Sequence, residues 1–388
     1  MSTTELSAPF IHVASPTVDE DDVKAVADVL LSGRLSAGPV ATEFERRFAE
    51  YVGVEHAVTV NSGTAALHAA LAAMGIQPGD EVIVPAMTFF STATAVIHQG
   101  GVPVFCDISL DNFCMSPEDM RQRITPRTRA VIPVHYFGHA AEMDEINAIA
   151  NEHDLVVIED CAQSHSTLYK GAMTGSLGHL GAFSFFATKH MTSAEGGMVT
   201  TDNADYAGYM RSFRSHGMEG RDDHVILGYN YRISEPAAAL GLSQLKRLDV
   251  FNEGRIRASE AVIERICDIP WLTVPKVPNH VKHTYFWCHI MVDEDCLGMK
   301  TQALIERLRD KGIETRNRYV EPLYRQPLLT RNVPPILRLV AGDNLPDYSA
   351  MNLPNAERAA GRVIGLPNRP DLTLFEIERI ADVLHSFG

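Results

Sequence analysis

What this 388-residue chain lacks narrows its function first. No apolar run approaches the roughly 18 residues of a membrane span, and the N-terminus shows no basic-then-apolar leader pattern. The expectation is a cytoplasmic protein without a membrane partner. Cys106, Cys114, Cys161, Cys267, Cys288 and Cys296 form no C-x-x-C pair, which argues against a structural zinc site and against a disulfide framework. They read as small buried hydrophobes. Basic residues are scarce, 34 against 49 acidic ones, and a formal charge of −15 argues against nonspecific nucleic-acid binding. A phosphorylated ligand stays open, because clustered backbone amides can hold an anion inside an acidic protein. The dinucleotide fingerprint G-x-G-x-x-G is absent: Gly175, Gly178 and Gly181 are spaced three apart. Neither an H-x-x-x-H nor an H-E-x-x-H pair is expected in the site region, and no metal is expected. No internal repeat or low-complexity segment interrupts the chain.

What is present is a strand–helix alternation. Residues 1–15 read as a loose arm, after which Thr17 caps a first helix with an acidic opening turn that ends near Gly33. A second helix covers 41–51. Candidate strands follow at 56–60, 81–84, 102–106, 129–134, 155–158, 182–186 and 198–201, with helices between them at 64–74, 89–99, 117–124, 142–153 and 205–214. Such alternation predicts a mostly parallel sheet sandwiched by helices, with its ligand at the carboxyl ends of the strands. A long helix over 235–251 leads out. The division is expected at 251/252, between a large domain (1–251) and a smaller C-terminal α+β domain (252–388).

Four motifs fall on the expected rim. Asn61-Ser62-Gly63-Thr64 lies between a strand and an Ala-rich helix, and reads either as a phosphate cradle or as a plain N-cap. Phe89, after Thr88, is placed to stack on a flat ring or to join the core. Glu159 and Asp160 end an apolar strand, and period-two alternation sends them to opposite faces, so that one can point into the site. Gln163 is within reach of a ring substituent. Lys189 stands on a polar turn after the apolar run Gly181–Phe186 and is the only lysine between Lys170 and Lys246. Desolvation there favours its neutral amine, as a Schiff-base lysine requires. Cradle, ring, acid and lysine together describe a site for pyridoxal 5′-phosphate (PLP).

The order Ser62-Gly63-Thr64, Thr88-Phe89, Glu159-Asp160-x-Ala162-Gln163, Phe183-Ser184-Phe185-x-x-x-Lys189, Glu195-Gly196-Gly197 and Gly228-Tyr229-Asn230-Tyr231-Arg232 resembles the DegT/DnrJ/EryC1/StrS family of sugar aminotransferases. The likeness runs from Ser32-Gly33-Arg34 to Leu366-Pro367 and implies PLP fold type I. It implies that Lys189 carries the cofactor and shuttles the proton, and that Asp160 pairs with the pyridine nitrogen. Phe89 would stack on the ring and Gln163 would contact its 3-hydroxyl, while Ser62, Gly63, Thr64 and Ser184 would hold the phosphate. Asn230 would reach the phosphate across a homodimer interface. His135, His190, Arg232, Tyr319 and Tyr324 are the substrate candidates. Tyr324 stands in Glu321-Pro322-Leu323-Tyr324, where relatives often carry histidine. A dehydratase relative replaces the lysine by histidine, so the retained Lys189 favours transamination. The implied reaction moves an amino group from glutamate or glutamine to a keto sugar, most often a nucleotide-linked 4-keto-6-deoxyhexose, in amino-sugar and polysaccharide biosynthesis. A cyclitol (scyllo-inosose-type) aminotransferase and a PLP-binding relative without turnover are the alternatives.

Overall fold

The structure is a computed structural model that describes residues 9–387 apart from Ser15 and Ala37. The β-prone runs form strands β1 (His56–Val60), β2 (Glu81–Pro85), β3 (Val102–Cys106), β4 (Thr128–Val131) and β5 (Val156–Asp160). A small hairpin, β6 (Leu168–Tyr169) and β7 (Ala172–Met173), precedes β8 (Leu180–Ser184) and β9 (Gly197–Thr201). Without the hairpin these make one seven-stranded sheet in the order β1-β9-β8-β5-β4-β2-β3. Its neighbours are parallel from β8 to β3, and β9 alone runs against both of its partners. Strands buried along most of their length need apolar cover on both faces, and helices supply it.

Those helices are α1 (Glu20–Ser32), α2 (Pro39–Val52), α3 (Gly63–Ala73), α4 (Ser91–His98), α5 (Pro117–Arg123), α6 (Met143–Glu152), α7 (Ala204–Phe213), α8 (Glu235–Leu245) and α9 (Leu248–Ile266). Helix α3 is buried from Ala65 to Ala72, and its small side chains let it lie close on the sheet. Its first residue must be glycine. A Cβ on Gly63 would come 2.7 Å from that of Ser184, so the helix start and the end of β8 could not otherwise meet.

A second sheet joins Leu272–Thr273, Cys288–Val292 and Val363–Leu366 antiparallel. Its core takes Val262 and Ile266 of α9, Leu304 and Leu308 of the helix Thr301–Asp310, and Ile380 and Leu384 of the helix Leu374–His385.

Several local expectations change. Asp19, not Thr17, caps α1, in a reciprocal capping box with Asp22; the Thr17 carbonyl instead accepts from the Gln244 amide. The arm is not loose over its described part: Ile11 and Val13 are fully buried, and Ile11 bridges to Ile313. Residues 1–8 and 15 lie outside the described residues. The expected division at 251/252 falls inside α9, which begins in a core with Leu248 and ends in another with Ile266. Residues Tyr324, Leu329, Tyr348 and Leu353, far along the C-terminal half, pack on the core of the large sheet. Asp107, beyond β3, holds them there by accepting from the amides of Asn355 and Ala356. Four of the cysteines are buried as expected, but Cys267 and Cys296 are exposed. Among the described residues no helix is long and apolar enough to cross a membrane.

Candidate active site

The carboxyl ends of β2, β5 and β8 and the start of α3 open onto one cavity with about 1000 Å³ of empty space, its mouth included. Ser62, Gly63, Thr64, Phe89, Asp160, Gln163, Ser184, Lys189 and Tyr319 all line it. They come from five separate stretches of chain.

Asp160, at the end of β5, is 4% exposed, and no ion pair reaches it among the described residues. Its Oδ1 accepts from the Ala162 amide (3.1 Å) and its Oδ2 from the Thr92 hydroxyl (2.9 Å). Burial raises its pKa; these two bonds and the charge of Lys189 pull the other way. Lys189 follows β8 on the turn to β9. Part of its side chain is open to the cavity, but protein surrounds the amine elsewhere. That desolvation lowers its pKa to about 8, with Asp160 opposing the shift and Arg318 reinforcing it. Its Nζ lies 4.7 Å from the centre of the Phe286 ring.

The start of α3 supplies donors. The amides of Gly63 and Thr64 have no partner among the described residues, whereas the Ser62 hydroxyl caps the helix by accepting from Ala65 N (3.1 Å). The two readings of this motif therefore coexist: Ser62 is an N-cap, and the amides beside it remain free for an anion. Gln163 is fixed in orientation, its Oε1 on Phe137 N (3.0 Å) and its Nε2 donating to the Tyr319 hydroxyl (3.1 Å). Burial pushes the Tyr319 phenol up to about 12. Phe89 is 56% exposed on the rim.

Four of the expected substrate residues do not line this cavity. His135 is fully buried: its Nδ1 accepts from Ala141 N, so its Nε2 carries the proton and donates to Glu159 at 2.8 Å. His190 is buried with its Nε2 3.3 Å from the Thr284 carbonyl. Tyr324 is buried as well, donating to Glu357 (2.6 Å) and accepting from Leu353 N (3.1 Å). It is a latch in the core. Arg232 is half-buried away from the cavity, and Asn230 is exposed outside it. Sequence reasoning missed Thr92, Thr188, Phe286, Trp287 and Arg318. Thr92 carried a usable signal, since it stands one helical turn beyond Phe89.

His135 and His139 do stand at an H-x-x-x-H spacing, and ligand atoms of His135, Glu159 and Cys161 lie within 4.8 Å of one another. Glu159 is nonetheless saturated. Its Oε2 takes His135 and Gly175 N, and its Oε1 takes Leu177 N and Gly178 N. The two ring nitrogens of His139 face the carbonyls of Ala140 and Lys276 instead. The cluster is a hydrogen-bonded support for the strand end.

A family model described as the DegT/DnrJ/EryC1/StrS aminotransferase family matches residues 16–385. The chain belongs to this family. It is similar to the spore coat polysaccharide biosynthesis protein SpsC of Bacillus subtilis, 36% identical over 97% of this chain and 96% of SpsC. Among solved structures it resembles DesV of S. venezuelae, in complex with a ketimine intermediate, at a TM-score of 0.88 and 31% identity, covering 98% and 99% of the two chains. It also resembles PseC of Helicobacter pylori, an aminotransferase involved in the biosynthesis of pseudoaminic acid, at 0.88 and 27%, covering 97% and 99%. The family and these neighbours are PLP-dependent aminotransferases of fold type I, sugar aminotransferases among them, and the mainly parallel sheet described above is that fold.

Proposed function

We propose that this chain transfers an amino group from an amino acid to a nucleotide-linked keto sugar, with PLP held in the cavity of Lys189 and Asp160. The observation that carries the reading is the pair itself. A buried carboxylate that makes no ion pair among the described residues and a desolvated amine face one cavity. An uncompensated buried carboxylate is costly, and a protonated ring nitrogen would relieve it. The donors fit the cofactor's other end. The free amides of Gly63 and Thr64, with the hydroxyls of Thr64 and Ser184, suit a phosphate at a helix N-terminus. Phe89 would cover one face of the ring, and Gln163 has one amide hydrogen left for a ring oxygen.

Bound there, PLP would supply the electron sink that lets a carbon–hydrogen bond next to nitrogen break. The chain supplies the proton handling. Neutral Nζ of Lys189 would take the proton from the donor's α-carbon and pass it to the cofactor's C4′; in the second half-reaction it would take a proton from C4′ and give it to the sugar carbon. Asp160 would hold the ring nitrogen in its protonated form throughout.

Arg318 favours the nucleotide-linked substrate over the cyclitol. It is exposed at the mouth with no carboxylate partner among the described residues. It borders an adjoining cavity with Thr88, Phe89, Tyr319, Glu321 and Gln326, where the part of the substrate beyond the sugar would lie. A diphosphate would meet the guanidinium there, and an uncharged cyclitol offers it nothing. Asn230 is exposed beside Tyr229 and near Leu227, which is 83% exposed. A second copy of the chain would cover this face and bring Asn230 to the partner's phosphate.

The test is spectroscopic. Purified protein supplied with PLP should absorb near the visible edge, and L-glutamate or L-glutamine should shift the band to shorter wavelength, naming the donor. Absence of the band sinks the cofactor assignment; a band that neither donor moves sinks transamination. For the dimer, Asn230→Ala and Lys189→Ala subunits are mixed. Recovery of activity requires Asn230 to act across the interface, because only then does one site in the mixed dimer stay intact.

A further inference from the structure

A second, smaller cavity shares only Lys189 with the main one. Its wall includes Ala187, His190 and Thr192 of the lysine turn, Thr17 at the N-terminal side, and Phe251 and Arg255 of α9. It has about 240 Å³ of empty space, its opening included, with room inside for one water-sized particle.

Arg255 is the unusual member. It is 4% exposed, and its Nε and Nη1 are buried without a hydrogen-bond partner among the described residues. Among the described residues no carboxylate forms an ion pair with it. Asp371, the one acid that acts on it at longer range, lies at the surface against Arg369. A guanidinium does not shed its proton in water-like conditions; burial brings this one down only to about 10, so it is charged at neutral pH. Its nearest titratable neighbours add no negative charge. Burial drives His190 well below its usual range and His165 down to about 3, and both are neutral. Gln244 donates its Nε2 hydrogens to the Thr17 carbonyl and Asp22, and its amide oxygen brings no charge. A single water could bridge Arg255 to the unpartnered Nδ1 of His190, satisfying hydrogen bonds but leaving the charge in place.

We propose that this cavity is a binding site for a monatomic anion of the halide class, held by the Arg255 guanidinium beside Lys189. The confined space excludes a carboxylate or phosphate. The site is built by the lysine turn, α9 and the N-terminal segment, so an ion there ties those three elements together. It stands whether or not PLP occupies the main cavity.

Crystals of the full chain grown in sodium bromide test it directly. An anomalous bromide peak within hydrogen-bond distance of the Arg255 guanidinium is expected; ordinary water density without anomalous signal overturns the proposal. Thermal unfolding, with and without added PLP, gives a second readout at constant ionic strength. Chloride or bromide should raise the midpoint by about 1–3 °C over gluconate. Arg255→Met should lose that difference, and an equal halide effect in both proteins counts against the site. If Arg255→Met does not fold, the bromide map of the unaltered protein decides alone.

Discussion

Glu159 and Asp160 are adjacent residues of one strand, both buried, and they have opposite fates. Glu159 points away from the cavity, to where each of its oxygens accepts two hydrogen bonds. Asp160 points into the cavity with one donor on each oxygen. A carboxylate whose lone pairs are filled by the chain is part of the scaffold. One left half-filled at a cavity wall is waiting for a donor from outside. The same rule separates the histidine His135, locked between Ala141 N and Glu159, from Lys189, whose amine has no hydrogen-bond partner among the described residues.

The cavity side should therefore break function and spare the fold. Lys189→Ala is expected to lower transamination by at least ~10³-fold and to remove the covalent cofactor's absorption band, with thermal unfolding little changed. Lys189 with a pKa of about 8, against 10.5 for an ordinary lysine, becomes neutral as pH rises through 8. The rate at which stripped protein attaches PLP should climb across that range and level off above it. A climb centred near 10.5 would mean that the amine is not desolvated. Asp160→Asn keeps the shape but cannot favour a protonated ring nitrogen, and is expected to cost about 10²-fold in kcat.

The back of the strand should do the reverse. In Glu159→Gln, the amide nitrogen replaces an oxygen that accepts two donors, so two N–H groups are left facing a third. A loss of ~3 kcal/mol in denaturant unfolding is expected. The affinity for PLP, measured on the protein that remains folded, should stay within about 3-fold, since Glu159 does not line the cavity. A large loss of affinity with unchanged stability would erase the distinction between the two faces.

The front of the site was legible in the sequence because local pattern sets it. Alternation along Val156–Asp160 assigns the two carboxylates to opposite faces, and the glycine and hydroxyl residues at 62–64 mark a strand-to-helix turn. All seven strands of the large sheet come from runs whose burial follows from their own composition. What stayed hidden depends on distant pairing. Tyr324 faces Glu357 rather than a ligand, and Asp107 reaches across to the amides of Asn355 and Ala356. Nothing in either stretch marks the other as its partner. Arg318 and Trp287 reach the cavity through the packing of the C-terminal half on the sheet, which no periodicity records.

Thr92→Val is the finest test of the comparison. Valine has nearly the volume of threonine and suits its buried place on α4, so the packing survives and only the 2.9 Å bond to Asp160 Oδ2 is lost. That bond holds the Asp160 pKa down against burial. Without it the carboxyl protonates more readily and turns more freely, and both changes weaken its grip on a ring N–H. A net hydrogen bond to a charged group is worth ~1.5 kcal/mol, so PLP should bind about 10-fold more weakly by titration of the stripped protein. The unfolding midpoint of that stripped protein should fall only slightly, because the buried methyl that replaces the hydroxyl offsets much of the lost bond. Glu159→Gln and Thr92→Val would then form a crossed pair: one loses stability and keeps the cofactor, the other loses the cofactor and keeps stability. If Thr92→Val leaves PLP affinity unchanged, the threonine merely fills space and Asp160 is positioned by the Ala162 amide and its strand alone.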